Sequence, residues 1–357
     1  MEKIINVVDD NGYYAHKLAY FDNKRIQTLK IPSIVGSADQ AVTSTGGHHV
    51  DMYQTEGGLF VCNPAIQKPI PVRTNDYNTS PLNRVLVHHG MMRAGLSGAK
   101  VRLATALPVR DYFLNGGGRN EEKIRGQHEN MMKPVYMPGS NGEQGKSTVE
   151  VVKHSVYAEC VSAAVDFLLD DEGNERFSID QLFAPIAVWD FGGSTFDVVA
   201  LNPDFSILQG NSGTTQKGTY DIRTNLEGLL KERLKKETGS SFDRIPSWLY
   251  ESAFTKGVVP VTAGGTMKNI EVRDIVLEAA KPVVSEIRQF ASQTLGGDFL
   301  SYQFNILVGG GALLCRELFE GIASNIVVLD EFANAKGMLK YMTYLDSDDT
   351  GPSDCAA

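Results

Sequence analysis

Hydrophobic residues in the first half of the chain alternate between short strand-like runs and stretches with helical spacing. An apolar run at 4–8, a polar turn at 9–13 and a second apolar run at 14–21 predict two neighbouring strands. Between Leu82 and Leu96 the apolar residues recur at helical spacing, which predicts a helix. The other elements predicted here are strands at 101–107, 135–137 and 148–152, the last two joined as a hairpin by a Gly-rich turn, and helices at 120–132 and 155–169.

The second half of the chain repeats this mixture. Two apolar runs within 186–201 predict a central hairpin, because a Gly-Gly pair separates them. The other elements predicted here are helices at 220–237, 271–295 and 334–345 and a buried strand at 304–308. Since strands and helices are interleaved and a hairpin opens each half, we expect an α/β fold of two similar halves. Residues 31–83, rich in Gly, Pro, Thr and Asn, predict a small strand-and-loop subdomain.

Composition narrows the class of protein. The 357 residues are enough for two domains with cores of their own, and 42% hydrophobic with 22% charged residues is typical of a soluble globular protein. No apolar run is long enough to span a bilayer, and Met1–Asn6 lacks the features of a signal peptide. We therefore expect a cytoplasmic protein with no membrane partner.

Cysteine spacing and net charge exclude two further classes. The four cysteines are scattered with no CxxC pair, which argues against a disulfide framework and a zinc site. They are Cys62, Cys160, Cys315 and Cys355. The formal net charge of −9 gives no general attraction to a phosphate backbone, so direct DNA binding is disfavoured. Any work near DNA would need an adaptor.

The most informative segment runs from Asp190 into the second apolar run of the central hairpin. Asp190 lies near the end of a strand-like run, and the residues that follow are Phe191, Gly192, Gly193, Ser194 and Thr195. Glycines let a backbone approach an anion closely, and successive N–H groups at a tight turn form a concave site for phosphate. The carboxylate could hold a hydrated metal beside that phosphate. An ordinary Gly-Gly hairpin turn is the alternative.

Two other segments offer related chemistry. After the first apolar run come Asp10, Asn11, Gly12, Tyr13 and Tyr14, with Lys17 seven residues beyond Asp10. The Lys17 ammonium could act as a point charge against phosphates if the turn folds back. Gly309, Gly310 and Gly311 separate a predicted strand from a helix, where they would permit close approach to a ligand.

In this order, the three segments resemble those of the actin-like ATPase fold. Other short segments resemble bacterial plasmid-segregation actins of the ParM/StbA type more specifically. The finer matches are Val87-His88-His89-Gly90, Leu107-Pro108 with Tyr112, and the closing pattern Phe332-Ala333-Asn334-Ala335-Lys336-Gly337-Met338. The resemblance implies two similar halves around a nucleotide cleft, each with a smaller subdomain. The expected domains are 1–181 with 331–357 (small subdomain about 31–83), and 182–330.

The resemblance also implies cofactors and site residues. ATP or ADP with Mg²⁺ is expected, the metal held by Asp10 and Asp190 through water. Residues expected to contact the nucleotide or its phosphates are Asp10, Asn11, Gly12, Tyr13, Tyr14, Lys17, Gly192, Gly193, Ser194, Thr195, Gly218, Gly309, Gly310, Gly311 and Ala312. The expected catalytic residues are Asp190 and His154, because the position before the helix predicted from 155 should orient the attacking water. Glu159 lies one turn further along that predicted helix.

The function that follows from the resemblance is ATP-dependent plasmid DNA segregation. The expected partners are copies of the same chain, stacked head-to-tail into a filament whose stability ATP hydrolysis controls, and a ParR-like DNA-binding adaptor. Plasmid centromere DNA would be contacted only indirectly. The alternatives are a non-polymerising actin-fold ATPase or kinase, and a nucleotide-binding scaffold that hydrolyses slowly.

Two further patterns favour ordinary structural roles. Gly139–Thr148 approaches a P-loop, but the required glycine is replaced by Ser140, so a turn is the better interpretation. The pairs His48-His49 and His88-His89 lack a third metal ligand at suitable spacing. We expect them to pack or to lie at the surface.

Overall fold

A computed structural model describes residues 3–43, 45, 49–114, 116–139 and 144–346. The chain divides into two compact units, which we name unit 1 (residues 1–178 and 332–357) and unit 2 (residues 179–331). Ser140 to Glu143 of the P-loop-like segment, His48 and Cys355 lie outside the described residues.

The strands are β1 (Ile4–Asn11), β2 (Ala15–Asp22), β3 (Arg25–Pro32), β4 (Gly36–Ser37), β5 (Val42–Thr43), β6 (His49–Val50), β7 (Met52–Thr55), β8 (Gly58–Val61), β9 (Lys100–Leu107), β10 (Tyr136–Pro138), β11 (Gln144–Ser147), β12 (Glu150–Ala158), β13 (Ile186–Phe191), β14 (Phe196–Leu201), β15 (Gly213–Thr215), β16 (Val258–Ala263), β17 (Thr266–Glu271), β18 (Asn305–Val308) and β19 (Ile326–Val328). The α-helices are α1 (Pro81–Arg93), α2 (Val109–Tyr112), α3 (Glu121–Met131), α4 (Val161–Leu168), α5 (Thr219–Thr238), α6 (Ser247–Lys256), α7 (Arg273–Thr294), α8 (Gly310–Leu314), α9 (Arg316–Phe319) and α10 (Ala333–Lys340).

Unit 1 is built on a mixed sheet with the strand order β3-β2-β1-β9-β12. The first three strands are antiparallel, β9 runs parallel to β1, and β12 runs parallel to β9. Side chains alternate between the two faces, so Val7 packs with residues of α1 and its neighbour Val8 packs with residues of α10. The sheet therefore lies between helices, and α10 reaches it from the far end of the sequence.

Unit 2 contains a sheet with the same topology, β15-β14-β13-β18-β19. Again a three-stranded antiparallel meander is extended by two parallel strands on the side of its first strand. Every residue of β13 and β14 is buried, as expected when helices cover both faces of a sheet. The two halves are thus similar in topology, as the sequence predicts.

A smaller sheet in unit 1, β11-β10-β7-β8-β4, corrects one prediction. The hairpin predicted between 135–137 and 148–152 is wrong in its second strand. Tyr136 of β10 pairs with Ser147 of β11, whereas β12 from Glu150 onward joins the large sheet. The short apolar stretch around Val149 fits either sheet locally, and long-range pairing decides between them.

The helix predicted at 155–169 is also wrong for residues 155–160. Strand β12 continues to Ala158, and α4 begins only at Val161. His154, Val156 and Ala158 are buried, and the residues between them are less so. This period of two is the signature of a strand, and the apolar run that follows obscured it.

Among the described residues, no helix combines the length and apolar character needed to cross a bilayer.

Three buried histidines predict an acid-sensitive stability. Burial lowers the pKa of His88 to about 3, of His89 to about 4 and of His154 to about 3. Each has a hydroxyl neighbour: Thr148 at 2.6 Å, Tyr53 at 2.9 Å and Thr105 at 2.9 Å, respectively. The packing role expected for His88 and His89 agrees with this burial.

Below pH 6.5 the unfolded chain binds protons at these histidines, and the folded chain does not until about pH 3–4. The free energy of unfolding should therefore be unaffected by these histidines above pH 6.5. Below that pH it should fall by up to about 1.4 kcal/mol per pH unit for each histidine. Urea unfolding at pH 7, 6 and 5 measures this slope. His154→Gln should reduce this slope by the contribution of one histidine. An unchanged slope in that variant would contradict the lowered pKa of His154.

Candidate nucleotide-binding site

The hairpin between β1 and β2 brings Asp10 and Lys17 together. They are direct cross-strand partners, and the Lys17 ammonium donates a hydrogen bond of 2.9 Å to the Asp10 carboxylate. Asp10 is buried, and the Lys17 side chain is 16% exposed. The seven-residue spacing, unusual within one strand, is what a hairpin needs to place two side chains on one face.

The turn of this hairpin is held by its own backbone and by the end of β3. The Gly12 N–H donates to the Asp10 carbonyl at 3.0 Å, and the Ser33 hydroxyl donates to the Gly12 carbonyl at 2.7 Å. The ring of Tyr13 packs 5.2 Å from the ring of Tyr77. A substantial part of the Tyr13 side chain is therefore engaged within unit 1. Any phosphate contact at 12–14 would come mainly from main-chain N–H groups.

The other face of β1 carries a buried polar network that the sequence analysis missed. His16 lies 2.9 Å from the Asp9 carboxylate through Nδ1 and 2.6 Å from the Tyr77 hydroxyl through Nε2. The side-chain oxygen Oδ1 of Asn11 accepts a hydrogen bond of 3.0 Å from the Ala106 N–H. Successive residues of a strand face opposite ways, so Asp9 and Asn11 share one face of β1 and Asp10 lies on the other. The sequence Asp9-Asp10-Asn11 could have indicated this difference, since the strand itself was predicted.

The end of β12 places Glu159 in a tight turn before α4. Its N–H donates to the carbonyl of Leu107, at the end of β9, at 3.0 Å. The N–H of Val161 donates back to the Glu159 carbonyl at 2.6 Å, and Cys160 between them has φ 61° and ψ −51°. This is the strained form of the γ-turn, which is rare for a residue with a Cβ atom.

His154 is not where the sequence analysis expected it. It lies inside β12, buried, with Nε2 2.9 Å from the Thr105 hydroxyl. The expectation that it immediately precedes a helix is wrong, because the strand continues past it to Ala158. Glu159 occupies the strand-to-helix junction instead.

The hairpin between β13 and β14 repeats the first one with a different charge pattern. Asp190 and Asp197 are direct cross-strand partners, at the positions that correspond to Asp10 and Lys17. Both aspartates are buried. The Thr214 hydroxyl donates a hydrogen bond to the Asp197 carboxylate, and Gly192 N–H donates to the Thr195 carbonyl at 3.0 Å to close the turn.

The N-terminus of α5 is fixed against this turn. The N–H groups of Thr219 and Tyr220 donate to the carbonyls of Gly192 and Gly193 at 3.1 and 3.0 Å. A Cβ atom on Gly218 would lie 2.3 Å from the Gly193 carbonyl oxygen, so only glycine fits there. Gly218 therefore lies beside the turn of the hairpin.

The glycines after β18 lie on the other side of the same hairpin. Val308 pairs with Asp190, and a Cβ on Gly309 (φ 89°) would be 2.7 Å from the Asp190 carboxylate. A Cβ on Gly311 would be 2.5 Å from the Phe191 ring. Ala312 is fully buried, and Gly310 is half-buried. Unit 2 thus brings Asp190, the 192–195 turn, Gly218 and the 309–312 segment together.

In the described ranges, no cluster of three or more His, Cys, Asp or Glu side chains could hold an ion. Each unit offers one turn with a buried carboxylate at a strand end, which suits an anion accompanied by a hydrated cation.

Comparisons with known proteins agree with this architecture. No curated protein matches the chain by sequence. Residues 5–170 match the family described as plasmid segregation protein ParM, N-terminal.

Solved structures extend the likeness to nearly the whole chain, at identities that establish the fold alone. Ta0583, an archaeal actin homolog, in complex with ADP is 19% identical with a TM-score of 0.67, covering 94% of this chain and 97% of that one. A 15-stranded ParM filament from Clostridium botulinum is 16% identical with a TM-score of 0.68 (96% and 99%). Bacillus thuringiensis ParM with ATP is 16% identical with a TM-score of 0.62 (95% and 98%). The chain therefore has the actin-like fold, and its residues 5–170 are similar to the ParM N-terminal family.

Proposed function

We propose that this protein hydrolyses ATP and assembles into filaments that segregate plasmid DNA. The observation that carries the proposal is the repeated hairpin, with buried Asp10 in unit 1 and buried Asp190 in unit 2, each at a strand end beside a glycine-containing turn. Solved relatives with ADP and ATP support the choice of ligand.

The charge pattern of the second hairpin fits a divalent cation. Asp190 and Asp197 lie opposite each other on antiparallel strands and are 7% and 2% exposed. Like charges placed directly opposite destabilise a strand pair, and a nearby cation relieves that repulsion. Mg²⁺ commonly takes one or two carboxylates and completes its shell with water and phosphate oxygens. We therefore propose that Asp190 would hold Mg²⁺ through water, and that Asp10 is the carboxylate of unit 1 suited to the same role.

The roles of the chain's own groups follow from their chemistry. When bound, ATP would supply the phosphoryl group and Mg²⁺ would neutralise charge on its phosphates. Lys17 adds a positive charge at the first hairpin, and main-chain N–H groups of the two turns bind phosphate oxygens. Glu159 orients the attacking water, the role expected of His154 from the sequence, and also accepts the proton of that water. A buried histidine with a pKa of about 3 is a poor base for that step.

The remaining parts of the proposal concern partners. A head-to-tail interface between copies of the chain does not close on itself and so generates a helical filament. The solved ParM filament, which has the same fold, supports self-association into a filament. The net charge of −9 favours contact with DNA through a basic, ParR-like adaptor over direct contact.

Sedimentation tests the filament proposal. The protein should pellet with ATP and Mg²⁺, and less with ADP or without nucleotide, because ATP stabilises the polymerising form. Phosphate release measured in the same samples separates the outcomes. Hydrolysis without a pellet over a range of protein and nucleotide concentrations would favour a non-polymerising ATPase. The absence of both hydrolysis and a pellet would contradict the whole proposal.

A further inference from the structure

The turn after β12 stores strain that its own residues do not explain. Cys160 has φ 61°, a region that costs a residue with a Cβ atom roughly 1–3 kcal/mol. Neither glycine nor asparagine, the residues that tolerate positive φ best, stands there. Such a conformation persists only when its surroundings determine it.

The group that determines it comes from α10. The Asn334 side-chain oxygen accepts a hydrogen bond of 3.0 Å from the N–H of Cys160, although 174 residues separate them. Asn334 is 4% exposed and Cys160 is fully buried, so water has little access to this bond. We propose that Asn334 is a positioning residue that holds the Glu159–Cys160–Val161 turn and thereby aims the Glu159 carboxylate. This inference rests on the proposed ATPase function.

The position of Asn334 is itself fixed by the packing of α10 on α4. A Cβ on Gly337 would lie 1.6 Å from the Ser162 carbonyl oxygen, so the two helix backbones are in direct contact. One turn further on, the buried Lys340 ammonium donates to the Asp166 carboxylate at 2.7 Å. Helix α10 thus lies along α4, from the turn before α4 to the second half of α4. The contacts that place it there are made by Asn334, Gly337 and Lys340.

Loss of the Asn334 oxygen should release the turn. The Cys160 N–H would then be left buried without this acceptor, and the backbone would relax toward negative φ, where Cys160 is unstrained. Relaxation rotates the adjoining peptide groups and moves Glu159, the first residue of the turn. A displacement of about 1 Å in a catalytic group can lower a rate by up to about 10²-fold.

The experiment compares steady-state ATP hydrolysis across a set of variants. Asn334→Ala should lower kcat about tenfold with little change in KM, because the residue acts through Glu159 and not through ATP binding. Asn334→Asp keeps an acceptor oxygen and should retain most of kcat. Thermal unfolding of each variant shows whether the fold survives, and Asn334→Asp keeps the test valid if Asn334→Ala does not fold.

Two double mutants separate positioning from general stabilisation. In a Glu159→Ala background, Asn334→Ala should change the residual rate by less than about twofold, because its route of action is already gone. Cys160→Gly removes the strain and should restore part of the kcat lost in Asn334→Ala.

The possible results distinguish a failure of the positioning role from a failure of the proposed function. If Asn334→Ala lowers the rate of ATP hydrolysis by the same factor with and without Glu159, the positioning role is overturned. Hydrolysis that is insensitive to Asn334→Ala would overturn it while leaving the proposed function intact. Absence of hydrolysis by the unchanged protein would contradict both.

Discussion

Replacement of Glu159 by alanine is expected to lower the rate of ATP hydrolysis by about 10²–10⁴-fold, the usual contribution of a positioned acid or base. ATP affinity should change little, because the nucleotide contacts proposed here come from the two hairpins and from the segments beside Asp190. Single-turnover phosphate release together with equilibrium binding of a fluorescent ATP analogue measures the two quantities separately. Filaments of this variant should form with ATP and persist, since their disassembly is proposed to follow hydrolysis.

His154→Gln is the matched control for this experiment. Glutamine can keep a polar atom near the Thr105 hydroxyl, which His154 Nε2 approaches at 2.9 Å. It removes the imidazole that the sequence alone favoured as the water-positioning group. Its kcat should stay within about threefold of the unchanged protein, as expected for a residue outside the reacting groups. A large loss in His154→Gln combined with normal hydrolysis in Glu159→Ala would reverse the assignment.

Gly337→Ala is expected to cause the largest loss of stability among the substitutions discussed. The added Cβ would lie 1.6 Å from the Ser162 carbonyl oxygen and 3.1 Å from the Asp166 nitrogen. Both are main-chain atoms, so no side-chain rotation relieves the overlap and the helices α4 and α10 must separate. We expect a loss of at least about 3 kcal/mol in the free energy of unfolding, measured by urea denaturation.

Gly228→Ala provides a matched control in another helix. Gly228 lies within α5, and a Cβ there would meet nothing within 4 Å. Alanine should therefore stabilise the protein by about 0.5–1 kcal/mol through helix propensity alone. If Gly337→Ala were as stable as Gly228→Ala, the close contact between α4 and α10 would be contradicted.

The sequence predicted the hairpins because their signals are local. The residues flanking Asp10 and Asp190 combine apolar runs with glycine-containing turns, and strand pairing then fixes which side chains meet. The helices α1, α5 and α7 were predicted within a few residues for the same reason, since their apolar spacing extends over three or more turns. The contact between Lys17 and Asp10 follows once the hairpin register is known.

The junction that carries Glu159 was harder to predict. The alternation at His154, Val156 and Ala158 is short, and it merges with the apolar residues of α4. Because a cysteine carries no propensity for positive φ, nothing local in the sequence signals the turn at Cys160. The determining group, Asn334, is 174 residues away. Long-range contacts of this kind override local propensity.

The two-segment composition of unit 1 has a consequence for the order in which the chain folds during synthesis. Unit 2 is continuous in sequence, and its large apolar cluster lies wholly within 187–328. Unit 1 is begun first, but Val8 and Ala19 of its sheet pack against Ala335 and Met338 of α10. Domains generally fold as units while the ribosome adds residues, so unit 2 can be complete while unit 1 still lacks one layer. A nascent chain therefore gains the Asn334 oxygen that holds the turn after Glu159 only once α10 has emerged.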